Sequence, residues 1–293
     1  MIVVTTPTGQ IGRHVVKGLI AAQVPVRVIV RDASKLSDDV RGIAEIVEGS
    51  HGEASVINAA LVGADGLFWV APTAPSKTIE QIYVEFARPA VDAIRRNTVK
   101  RVVGVTALGR ATRWQETSGL VTASIRMDDL LMSTGADFRG LAMPSFMDNM
   151  LRQAGPIGET GVFSGPIDPD LKLPVTAVSD LGALAVRLLV EGSWSGQEEV
   201  PVIGPEDLSH NDMAAILSDV LGRGIRYQQI SFEQVKQQFL RRGASESFAQ
   251  GYVDMFKAKN EGMDGAAALG VAARTLTTFR DWCEERLKPA ITG

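Results

Sequence analysis

Cysteine is nearly absent from the 293 residues: Cys283 stands alone, so no internal disulfide and no thiolate metal cluster can form. Its surroundings, FRDWCEER, have a helical pattern, and a half-buried filler is expected there. Histidine is scarce too. His14, His51 and His210 are scattered, which gives no metal-binding spacing, and no metal is expected. No apolar run approaches the roughly 20 residues that span a bilayer. Neither sign of charge dominates: the net charge is −4 with acids and bases mixed, which argues against a nucleic-acid or membrane surface. The opening residues MIVVT read as a strand without a basic leader or cleavage site, so a cytoplasmic location is expected.

What the chain does have is apolar content, 45% against 22% charged, enough to build a sizeable core without staples. Short β-branched runs at 2–6, 26–30, 44–48, 66–70, 101–105 and 138–143 alternate with helical patterns near 10–22, 53–62, 78–97 and 118–134. Continuous apolar strands separated by amphipathic helices predict an α/β fold: a doubly wound parallel Rossmann sheet with helices on both faces. Residues 1–150 are assigned to this nucleotide-binding domain. Residues 151–293 form a smaller α+β substrate lobe, with 174–204 expected to return to the Rossmann sheet. The Gly- and Pro-rich segment 155–170 predicts a loop with one hairpin. Helices are expected near 179–191, 209–221, 232–242, 245–261 and 275–287.

The segment VVTTPTGQIGRHVV joins the first strand to the first helix. A glycine-rich turn at this place lets the backbone approach a pyrophosphate, while the helix amides supply donors. Gly9 and Gly12 hold the second and third glycine positions, whereas Thr6 replaces the first. Thr8 and Gln10 add further donors. At the tip of the second strand, in VRVIVRDASK, Arg31 stands where NAD-selective domains carry an acid. A guanidinium suits a ribose 2′-phosphate, and Lys35 follows one turn later, facing either that phosphate or solvent. Asp32 is free to cap the short helix that follows. NADPH is therefore the expected cofactor.

These segments, with GADGLFWVAPT, RVVGVTALG, GLAMPSFMDNM, AAILSDVLGRGIRYQQISFEQ and LTTFRDWCEE, make nearly the whole chain resemble the NmrA-like proteins, an atypical short-chain dehydrogenase/reductase group. The group includes NADPH-dependent quinone reductases, triphenylmethane-dye reductases and cofactor-sensing regulators. The resemblance implies contacts from Thr6, Thr8, Gly9, Gln10 and Ile11 to the pyrophosphate, and from Arg31 and Lys35 to the 2′-phosphate. Ser50 and His51 are placed near adenine, and Ala71 and Pro72 beside the adenosine ribose. Thr106 and Ala107 border the nicotinamide side, and Pro144, Ser145 and Phe146 flank the ring itself.

Short-chain dehydrogenases commonly use a Tyr-x-x-x-Lys dyad, in which the lysine lowers the tyrosine pKa for proton donation. None of Tyr83, Tyr227 and Tyr252 opens such a motif, and the corresponding helix reads GLVTASIRMDDLL. Thr106 retains a hydroxyl at the serine position, as a substrate-polarising group or a backbone-bonded cap. Tyr83 is the other catalytic candidate, as a proton donor or a packed helix residue. Met143, Phe146, Met147 and Met150 line an aromatic-substrate pocket or belong to the core. Trp69 is expected in packing and Trp114 in a loop over the cleft, with His14 structural and His210 on the surface. The leading expectation is an NADPH-dependent reductase of a small apolar or aromatic acceptor, such as a quinone or enone, with a homodimer left open. A non-catalytic NADP(H) sensor and a non-redox biosynthetic enzyme are the alternatives.

Overall fold

The computed structural model describes residues 1–292. Six strands alternate with helices through the first half: β1 (Ile2–Thr5), α1 (Gly12–Ala21), β2 (Val26–Val30), α2 (Asp38–Arg41), β3 (Glu45–Glu48), α3 (Ala54–Leu61), β4 (Gly66–Trp69), α4 (Phe86–Asn97), β5 (Arg101–Ala107), α5 (Leu120–Met132) and β6 (Asp137–Met143). The second half contains β7 (Ser145–Phe146), α6 (Ala154–Thr160), β8 (Val162–Gly165), β9 (Leu173–Thr176), α7 (Val178–Glu191), β10 (Gln197–Pro201), β11 (Asp207–Leu208), α8 (His210–Leu221) and β12 (Arg226–Gln229). It closes with α9 (Phe232–Arg241), α10 (Glu246–Asn260), α11 (Met263–Ala267), α12 (Phe279–Trp282) and α13 (Lys288–Thr292).

Seven strands form one parallel sheet in the order β10-β6-β5-β4-β1-β2-β3. Both faces are covered, and strand alternation explains the continuous apolar runs. Val4, Val28, Phe68, Val103 and Leu141 face α1 and α7, while Val3, Ile29, Leu67, Val102 and Phe138 face α3, α4 and α5. Trp69 lies in this second layer, fully buried, with Nε1 donating to Met127 Sδ at 3.3 Å. Small residues bring α7 onto α1: a β-carbon on Gly18 would stand 2.6 Å from Val186 Cγ2, and one on Gly182 2.6 Å from His14 Cβ.

Of the 174–204 stretch, β10 joins the large sheet by pairing with β6, and α7 packs beside α1 on its face. The segment β9 instead pairs with β7 and β11 in a small three-stranded sheet. The glycine- and proline-rich segment is more ordered than its composition predicts. Pro156 falls in the first turn of α6, where its missing N–H costs nothing, and Gly161 ends that helix at φ 68°. No hairpin follows; β8 pairs in parallel with the distant β12. The lobe core gathers Met147, Met150, Phe163, Leu217, Phe279, Trp282 and the fully buried Cys283.

Two widened, π-helical turns share one cause. Gln81–Glu85 precedes Pro89 in α4, and Cys283–Leu287 precedes Pro289 in α13. A proline cannot donate to the carbonyl four residues back and its ring crowds that carbonyl, so the preceding turn opens.

Candidate functional site

The strand order reverses between β1 and β4, the place where an open parallel sheet leaves a crevice beyond its strand ends. Every residue singled out for the nucleotide lies at or just beyond a strand's C-terminal end on this edge, apart from Lys35, four residues past Arg31. The turn after β1 is tight. Gly9 N–H donates to Thr6 O at 2.9 Å, and a β-carbon on Gly12 would stand 2.1 Å from that same oxygen. Thr6 itself adopts φ 49°, the left-handed region that a glycine at the first motif position would enter freely. Thr6 thus takes the backbone conformation open to glycine, and the cost falls on a β-branched residue. Helix α1 begins without a side-chain cap. Among the described residues, the amides of Thr8, Gln10 and Ile11 donate no hydrogen bond within the chain. Three free donors beside a helix N-terminus suit an anion.

Beyond β2, Arg31 is exposed and, among the described residues, forms no ion pair. Asp32 caps the next turn: its Oδ1 accepts from Ser34 Oγ at 2.6 Å and from Ser34 N at 3.0 Å, and these bonds, the hydroxyl's first, hold its pKa below the usual carboxylate range. Lys35 is largely exposed and lies 3.8 Å from Asp32 Oδ2. Ser50 Oγ accepts from Gly52 N at 3.4 Å. The ring of His51 turns inward, edge-on to Trp69 and Phe86, with Nε2 3.1 Å from Val70 O. Burial lowers its pKa from 6.5 to about 4, so the ring is neutral. Ala71 and Pro72 are half-buried after β4, which Thr5 ties to β1: its Oγ1 donates to Phe68 O at 3.1 Å and accepts from Val70 N at 3.0 Å.

At the end of β5, Thr106 is buried, with its hydroxyl 2.8 Å from Ser124 Oγ, which also accepts from Ala107 N at 3.2 Å. Pro144 is buried, and Ser145 and Phe146 are half-buried in β7. Met147 and Met150 belong to the lobe core, leaving Phe146 and Met143 nearer the sheet. Tyr83 sits in the widened turn before α4, packed beside Phe248, Leu120 and Tyr252. Burial, the largest cause, with Tyr252 adding to it, drives its pKa well above the ordinary phenol value. Trp114 packs against the cluster of Val121, Ile125, Ala258 and Met263, and its Nε1 donates to Glu261 Oε2 at 2.8 Å. His210 is not a surface residue. It is half-buried and stacks on Tyr227 at 4.3 Å, because α8 docks that end onto β12.

The NmrA-like family profile matches residues 1–283. The chain belongs to the NmrA-like family. It is 31% identical to an NAD(P)H azoreductase of Xenophilus azovorans over 257 residues, covering 87% of this chain and 86% of that one. Among solved structures, an NADPH-dependent quinone oxidoreductase from Escherichia coli, complexed with NADPH, superposes with a TM-score of 0.79 at 22% identity, covering 97% and 99% of the two chains. A triphenylmethane reductase from Citrobacter sp., complexed with NADP(H), gives 0.78 at 19%, with the same coverage. The parallel Rossmann-type sheet is thus shared with both structures. Among the described residues, no helix is long and apolar enough to cross a membrane.

The sequence reading missed several polar groups at this edge. Thr5 looked like one more strand residue. Ser124 and Asp128, four apart on α5, share a helix face, and that spacing was the available signal. Lys259 at the end of α10 and Asp264 in α11 form a buried pair at 2.5 Å, for which the sequence offered no motif. Nothing in local sequence connects Thr5 with Phe68, 63 positions away.

Proposed function

We propose that this chain is an NADPH-dependent oxidoreductase that reduces a small, flat, apolar acceptor such as a quinone or enone. The observation that carries the reading is the corner where the free amides of Thr8, Gln10 and Ile11 and the unpaired Arg31 lie at neighbouring strand ends. One end offers donors to a pyrophosphate and the other a fork for a 2′-phosphate. The names of the azoreductase, quinone oxidoreductase and triphenylmethane reductase support the same class.

In this reading Thr6, Thr8, Gly9, Gln10 and Ile11 hold the pyrophosphate, and Arg31 with Lys35 holds the 2′-phosphate. Ser50 borders adenine; His51, its ring bonded to Val70 O, supports that wall from within. Ala71 and Pro72 border the ribose. Thr106, Ala107, Pro144, Ser145 and Phe146 orient the nicotinamide. Bound NADPH supplies the hydride. Thr106 polarises the acceptor oxygen, and Tyr83, which retains its proton at neutral pH, is limited to hydrogen-bond donation from the wall. The Trp114 loop and α11 exclude water from this end.

Calorimetric titration with NADPH, NADP and NADH, followed by NADPH oxidation against a quinone and enone panel, tests this. Tight NADPH binding with turnover is expected. Binding without turnover places the chain with cofactor sensors, and no dinucleotide binding places it with non-redox enzymes.

A further inference from the structure

We infer that Asp128 is a neutral carboxylic acid held behind the reaction site, and that it replenishes the proton Thr106 gives to the reduced acceptor. The inference rests on the proposed reductase reading and names the proton source that the missing Tyr-x-x-x-Lys dyad leaves open. Asp128 is fully buried in the middle of α5; the Thr106 hydroxyl is the side chain that favours its charged form, yet neither carboxyl oxygen forms a hydrogen bond of ordinary length among the described residues. Ionised, it would be a bare charge in an apolar layer, which is far costlier than a neutral acid.

The sheet makes room for this group. A β-carbon on Gly140 would stand 3.2 Å from Asp128 Oδ2, and one on Gly104 3.7 Å from Oδ1. Gly104 and Thr106 are two apart on β5 and face the same side, so the carboxyl lies one step along the strand from the Thr106 hydroxyl. Ser124, one turn before Asp128, completes the line to the Ala107 amide. The charged groups around Asp128 come from three elements. Glu199 on β10 and Asp129 on α5 oppose its ionisation, while Arg110 beyond β5 favours it. Arg110 is committed elsewhere: Nε lies 2.5 Å from Glu199 and Nη1 2.7 Å from Asp129. Burial dominates and raises the Asp128 pKa well above the ordinary value, with the Thr106 hydroxyl partly opposing.

The step balances. The acceptor gains a hydride at one end and a proton at its oxygen. The Thr106 O–H bond breaks as the acceptor O–H forms, and the Asp128 O–H bond breaks as the Thr106 O–H re-forms. Asp128 is left as a carboxylate, and solvent returns its proton when product leaves.

Infrared difference spectroscopy of the cofactor-free protein against Asp128→Asn reads the protonation state directly. A protonated-carboxyl band at neutral pH, lost in the variant, is expected; its absence overturns the proposal. In turnover, Asp128→Asn lowers kcat by about 10²-fold with KM unchanged and makes the rate fall as pH rises, the scale of a lost general acid. Thr106→Val does the same and Thr106→Ser restores it, which keeps the test open if Asp128→Asn folds poorly. Unchanged kcat in Asp128→Asn overturns this proposal alone, whereas no NADPH oxidation by wild-type protein overturns it together with the reductase reading.

Discussion

Replacing Thr6 with glycine measures the strain stored in the phosphate loop. At φ 49° the threonine β-carbon crowds its neighbouring carbonyl, a cost of roughly 1–2 kcal/mol for an L-residue. Glycine removes that cost but gives the unfolded chain more freedom, which takes back about 0.4–1 kcal/mol. The Thr6 side chain forms no hydrogen bond among the described residues, so little else is lost. Thr6→Gly is therefore expected to be the more stable protein by about 1 kcal/mol, or roughly 2–4 °C in midpoint. Thr6→Ala keeps a β-carbon in the same backbone region and should gain nothing, which separates backbone strain from loss of the hydroxyl. Urea unfolding and thermal melting of the three proteins give the answer. Destabilisation of Thr6→Gly by a full kcal/mol, or equal stabilisation by Thr6→Ala, refutes the argument.

Gly12→Ala in the same turn should act in the opposite sense, because its new carbon meets backbone at 2.1 Å. Overpacking of about 1–3 kcal/mol exceeds the roughly 1 kcal/mol of helix propensity gained, and melting together with weakened NADPH binding checks this. Arg31→Glu should weaken NADPH binding by about 1.5–3 kcal/mol and leave NADH nearly unaffected, as read by calorimetry; equal loss for both nucleotides counts against a 2′-phosphate contact. Acid stability follows from His51. Its folded pKa of about 4 lies below the unfolded 6.5, so its contribution is intact above pH 6.5 and is lost as pH falls towards 4. That proton difference is worth about 3 kcal/mol at most. His210, lowered by burial to the same value, adds to the loss. Urea midpoints measured between pH 7 and 4 should fall, and His210→Phe should flatten the slope.

Much of the fold was legible in local sequence. Each large-sheet strand of the first half shows its own apolar run, and each long helix its period, because a parallel sheet buried on both faces imposes those patterns residue by residue. The phosphate turn was legible for a similar reason, since Gly9 and Gly12 report a close backbone approach within six residues. Asp32 as a cap followed from its place just before Ser34 and Lys35. The second half was harder. Pro156 suggested a loop because prolines usually interrupt helices, yet at a first turn the objection disappears. The pairing of β8 with β12 joins residues some sixty positions apart, and no local signal encodes it.

Sequence alone thus determined the α/β class and marked the candidate nucleotide corner, with Arg31 rather than an acid beyond β2, since each depends on neighbours along the chain. Tertiary structure decided the rest. It turned the His51 ring inward, stacked His210 on Tyr227, strapped Trp114 to Glu261, and set Asp128 opposite Gly104 and Gly140. Those outcomes depend on which surfaces meet when helices close over the sheet, and the free energy of burying a polar group is fixed only by what surrounds it there.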